Sequence, residues 1–160
     1  MDAAEQQSFL LQRVQPAMVG LVDGSLATLA PIFAVALATH KPHYAFVAGM
    51  ASALAAGVSM AYSEGLSDTG QLTGRGHPAV RGAITGLGTF VGGVLHTLPF
   101  LIPEYHAALV AALVVVGLEM LGLAWIRWRF FNASYLRSLG WIVFAAAVIV
   151  VISGALGAAA

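Results

Sequence analysis

Apolar residues run along this chain in five long, nearly unbroken blocks, separated by short segments that carry charge or proline. The blocks lie at about residues 17–39, 44–66, 82–102, 107–126 and 139–158. Each reaches the roughly 20 residues a helix needs to cross a hydrocarbon layer about 30 Å thick. An isolated strand cannot satisfy its backbone in lipid, so the blocks are predicted to be helices. The interruptions are His40-Lys41-Pro42-His43, the polar run Ser67 to Arg81, Pro103-Glu104-Tyr105-His106, and Arg127 to Arg137. Proline or charge stops the helix at each of them. The expected fold is an all-α bundle of five transmembrane helices.

Composition agrees with that pattern. The chain has seven acidic and seven basic residues in 160, and 59% of it is hydrophobic, too little charge to cover a soluble domain of this size. The formal charges balance, so nothing electrostatic predicts a nucleic-acid partner. Cysteine is absent, which excludes disulfides and thiolate chemistry and leaves oxygen, imidazole and thioether as metal ligands. No nucleophile–base pair or catalytic histidine motif is visible, so no enzyme and no permanent cofactor are expected.

The basic residues predict an orientation. Arg13, Arg75, Arg81, Arg127, Arg129 and Arg137 fall on the side of the N-terminus, with Lys41 opposite. Cytoplasmic segments retain Lys and Arg, so the N-terminus is expected inside and the C-terminus outside. Residues 1–15 then form a cytoplasmic segment, and 16–160 a single membrane domain whose first span is retained rather than cleaved as a signal. Trp125, Trp128 and Trp141 fall near the cytoplasmic boundary, as interfacial anchors do.

Asp23 stands out against this apolar background, about a turn and more inside the first block. A carboxylate at the centre of a membrane helix costs about 2.5–3.5 kcal/mol on insertion scales, so one that persists is expected to have a use. At a rise of about 1.5 Å per residue, Asp23 and Met60, on antiparallel spans, should share a level in the cytoplasmic half. Glu64 should lie one turn nearer the cytoplasm, and Glu119 should reach about the same level from the fourth span. Gly20, Asp23, Ala27 and Ala30 on one helix, and Ala53, Ala56, Gly57 and Met60 on the next, form small-residue faces through which these helices can approach. Gly82-x-x-x-Gly86 and Gly88-x-x-x-Gly92 predict close packing by the third span. His40, His43, His96 and His106 map to the outer end beside Glu104, where they could bind a metal, sense pH or simply sit among headgroups.

These residues bring a family into view. Gly20-Leu-Val-Asp23-Gly24-Ser25-Leu26 and Gly57-Val-Ser59-Met60-Ala61-Tyr-Ser-Glu64 resemble the paired signatures of vacuolar iron transporter-type proteins. Arg13-Val-Gln-Pro16, Gly74-Arg75-Gly76 and His96-Thr-Leu-Pro99 further resemble the membrane half of bacterial membrane-bound ferritin-like iron exporters. The resemblance implies a homodimer in a bacterial inner membrane, with the first helices lining a two-fold pore. It also implies export of divalent iron, or manganese, in exchange for protons. Asp23 and Met60 would then form the central metal site and Glu64 its cytoplasmic mouth. Apart from the resemblance, Glu119 and His96 are candidate proton or accessory groups. The chain departs from the eukaryotic pattern at Ser52, where that pattern has glutamate, and in the short Ser67 to Arg81 segment, whose one acid is Asp68. The alternative expectation is a non-transporting membrane anchor for a ferritin-like partner.

Overall fold

The computed structural model describes residues 2–159, and every regular element among them is helical. Five helices are long and apolar enough to cross a membrane: Ala3–Thr39, Pro42–Ser67, Pro78–Leu95, Tyr105–Phe131 and Tyr135–Gly157. They are the first to fifth spans below.

The first helix begins well before its apolar block, with residues 3–15 helical and continuous with the span. The Asp2 carboxylate accepts the Glu5 N–H at 2.7 Å while the Glu5 side chain accepts the Asp2 N–H at 2.9 Å. This reciprocal cap satisfies two of the donors that a helix start leaves free. A π-helical turn, Leu10–Val14, precedes Pro16, whose ring and missing N–H disturb the ladder around Gln12. A second break falls at Thr28, between Gln15–Ala27 and Leu29–Thr39. Pro31 has no N–H to return to the Ala27 carbonyl, and the helix bends there. His40 ends the span in the left-handed region, at φ 52°, and Pro42 opens the next helix.

The third span is the wedge of the bundle. Its small residues let two neighbours approach to backbone distance on opposite sides. A Cβ on Gly92 would lie 2.6 Å from the Leu21 carbonyl, and one on Gly86 would lie 2.6 Å from the Gly57 carbonyl. From the other side, a Cβ on Gly20 or Gly24 would collide with the carbonyl of Thr85 or Thr89. Gly88 and Gly92 therefore face the first span, while Gly82 and Gly86 face the second.

This span is also shorter than its apolar block. The helix ends at Leu95, and the chain continues through a turn at His96 and Thr97 into a 3₁₀ segment, Leu98–Leu101. Pro99 cannot donate to a helical ladder and disfavours helix in the residue before it. Irregular backbone at membrane depth is tolerated where protein covers it. Here His96, Thr97 and Phe100 are all buried, and Phe100 packs among Ile32, Ala36, Ala45, Ala108 and Ala112. The second half of the first span packs on the fifth, through Phe33 and Ala146 with Leu29 and Val116. Leu54, Val58, Val110, Leu118, Phe144 and all three tryptophans stay exposed, the outward apolar surface expected of a bundle whose solvent is lipid.

Candidate functional site

Asp23 and Met60 meet. Both line an open-sided cleft of ≈ 540 Å³ with Met18, Val19, Val22, Leu26, Ala27, Arg127 and Ile149. The first span positions Asp23 because Gly20 and Gly24 turn toward the third span, leaving the carboxylate half-buried on the neighbouring face. The sequence put Gly20 and Asp23 on one packing face; the structure separates their roles. Val19 and Ala27, flanking Asp23 by one turn each way, are exposed, so no helix of the chain covers this face of the first span. Arg127 is a further cleft residue that was read only as a boundary charge. Its Nε donates to Ser138 Oγ at 3.2 Å. A long side chain placed by its backbone near an interface can reach back along the helix, which span-counting does not capture.

Glu64 takes another direction. One of its carboxylate oxygens accepts from Arg75 Nη2 and Arg81 Nε, each at 2.7 Å. Arg81 is 1% exposed and also donates to the Asp68 carbonyl at 2.9 Å and the Glu64 carbonyl at 3.2 Å. Glu64 thus anchors the connection between the second and third spans and stands outside the cleft lining. In that connection, Asp68 is held below the usual carboxylate range by the Thr73 hydroxyl and the Gly70 N–H, with Arg81 and Arg75 adding to the effect.

Two further expectations change. His96 does not belong to the outer histidine group. It is 1% exposed, inside the bundle, because the third helix stops before it and the chain folds inward. Its Nε2 is 2.6 Å from Thr28 Oγ1 and its Nδ1 is 2.8 Å from Glu119 Oε2. Glu119, expected to converge with Asp23, instead pairs with His96, and its other oxygen is buried without a partner. Thr28 was not singled out in the sequence; a threonine three residues before a proline in a span was the available signal. The remaining outer groups stay local. Glu104 caps the fourth span, and the backbone N–H groups of Ala107 and His106 hold its carboxylate below the usual range. The His40 ring lies 4.9 Å from that of Tyr105.

Among the described residues, no group of three His, Asp or Glu side chains converges as a ready metal site. The chain brings one carboxylate, Asp23, and the methionines Met18 and Met60 to the cleft. What these features define is a five-helix membrane-spanning bundle with an open cleft that holds Asp23, Met60 and Arg127, and a separate buried polar cluster. No protein-family model, curated protein or solved structure matches the chain.

Proposed function

We propose that this chain transports divalent iron, with manganese as the nearest competing ion, out of the cytoplasm in exchange for protons. It would work as a two-fold homodimer whose first spans face each other. The observation that supports this reading is Asp23: a carboxylate on an uncovered stretch of a membrane helix, sharing a cleft with a methionine sulfur. Lipid is a poor neighbour for that group, and a second copy of the same face supplies what one copy lacks. Two aspartates neutralise a 2+ charge, and two thioethers favour an iron-like ion over magnesium or calcium, which prefer oxygen. Protons replace the metal on the carboxylates, where like-charge repulsion favours protonation. Few ligands keep binding weak enough for release. In this reading Glu64 serves the mouth through its arginines, and the N-terminus faces the cytoplasm, as the distribution of basic residues favours.

The test is flux in proteoliposomes. Asp23→Ala is expected to abolish iron-driven proton movement. Met60→Leu is expected to keep proton coupling and flatten discrimination among divalent ions. Unchanged flux in the Asp23 variant, or a purified parent protein that moves no metal, overturns the reading.

A further inference from the structure

The buried cluster Thr28–His96–Glu119 has a proton count that its geometry constrains. Thr28 has one hydroxyl hydrogen and two neighbours that can accept it: the Gly24 carbonyl at 2.8 Å and His96 Nε2 at 2.6 Å. When the hydroxyl donates to Gly24, Nε2 must carry a proton and donate to Thr28. One more proton then lies in the 2.8 Å contact between His96 Nδ1 and Glu119 Oε2, whichever atom holds it, and the pair is neutral overall. When that unit loses a proton, Nδ1–H must face the Glu119 carboxylate, because a bare nitrogen against a bare carboxylate at that distance is repulsive. Nε2 is then bare, and the only donor beside it is the Thr28 hydroxyl, which must leave Gly24.

We infer that the His96–Glu119 pair is a proton-binding site distinct from Asp23, and that its occupancy sets the hydroxyl of Thr28 at the bend of the first span. Loading is one step: a proton from water joins the anionic pair, its charge goes from −1 to 0, and the Thr28 hydrogen turns from His96 to Gly24. Glu119 Oε1 is buried with no hydrogen-bond partner, so the contact with His96 Nδ1 is the one hydrogen bond this carboxyl makes. The surroundings are also short of other charge. The ionisable groups of the fifth span, Tyr135 and Arg137, lie at its start, and Ala146, Ile149 and Val150 are the residues it packs with Leu29, Phe33 and Val116. The first span has Asp23 five positions before Thr28, about 7.5 Å along the axis. The ionisable groups of the second span, His43, Tyr44, Tyr62 and Glu64, lie toward its two ends, and so do Arg81 of the third and Tyr105, His106 and Arg129 of the fourth, while Arg127 reaches back into the Asp23 cleft and not to the His96–Glu119 pair.

The bend is where the choice has a mechanical effect. Pro31 already removes one hydrogen bond from this turn. The bonds that remain are long, Thr28 N–H to Gly24 at 3.4 Å and Ile32 N–H to Thr28 at 3.2 Å. The hydroxyl bond to Gly24 is therefore a large share of what holds the turn closed.

The experiment uses full-length protein in lipid without metal, so it does not depend on transport. Solid-state ¹⁵N NMR of histidine-labelled protein, with His96 assigned by His96→Gln, reads whether Nε2 carries a proton between about pH 5 and pH 8. The parent is expected to gain that proton as pH falls. Glu119→Gln, whose amide can donate to Nδ1, is expected to keep Nε2 protonated throughout, while Asp23→Asn behaves as the parent. Hydrogen exchange at residues 24–32 reads the bend. At the alkaline end the parent should exchange about 2- to 10-fold faster than Glu119→Gln, the effect of one lost hydrogen bond, and the two should agree at the acid end. Thr28→Val should remove this pH-dependent difference, and Thr28→Ser should restore it. An Nε2 state that never changes in the parent, or changes equally in Glu119→Gln, overturns the proton site. An exchange difference that survives Thr28→Val overturns its link to the bend.

Discussion

Glu64 and Asp23 are both carboxylates on spanning helices, each beside Met60 in sequence or in space, and their surroundings are opposite. Glu64 meets two guanidinium groups on one oxygen, with Arg81 almost fully buried behind it. Asp23 has apolar walls, a sulfur and an arginine whose nearest named partner is Ser138. A carboxylate that the chain neutralises with its own cations contributes to the fold. One that shares a cleft with an arginine yet makes no ion pair with it costs stability unless something mobile joins it.

That contrast can be broken by thermal unfolding in detergent. Glu64→Ala leaves the buried Arg81 only the more distant Asp68 carboxylate, 3.8 Å away, and a loss of about 3 kcal/mol is expected. Asp23→Asn is expected to leave the melting temperature unchanged or raise it. Equal destabilisation by both would mean that Asp23 is a structural partner after all. A smaller effect sharpens the account of how Asp23 is aimed. Gly24→Ala forces a methyl against the Thr89 carbonyl and should cost about 1–3 kcal/mol. Gly117→Ala, with no atom within 4 Å of the new methyl, should be neutral or stabilising.

The smallest effect concerns the connection near Glu64. The depressed folded-state titration of Asp68 means that its contribution is complete above its ordinary range and is lost as pH falls below about 4. Pepsin should therefore cut near the fully exposed Leu72 increasingly as pH drops, and Asp68→Asn should show that susceptibility already at the upper end of the acid range.

The five spans were legible because span length and hydropathy are local, additive signals; the breaks at Pro42 and Pro103 declared themselves, whereas the fourth helix runs past Arg127 to Phe131 and breaks at Asn132. The pairing of Asp23 with Met60 was legible for a similar reason: depth can be counted along antiparallel helices. Counting failed where a helix did not fill its apolar block. The third block continues to Ile102, yet Pro99 and the turn at His96 end the helix early, so His96 was assigned to the wrong depth. It failed also for rotation. Depth alone could not say that Glu119 faces His96 rather than Asp23, because that depends on which helices the small residues bring together. The start at Ala3 was readable in principle, since Asp2-x-x-Glu5 is a helix-capping pattern.

The glycine–carbonyl contacts between the first and third spans have a mechanical corollary. Gly20 and Gly24 sit so close to Thr85 and Thr89 that the lower half of the first span cannot roll without riding over backbone oxygens. Asp23 is thereby bolted to a stator. Beyond Thr28 the neighbours change: Phe33 and the Ala34–Gly157 contact set the chain on the fifth helix, and Ile32 and Ala36 set it on the second and fourth, so Thr28 is the seam between two separately clamped halves.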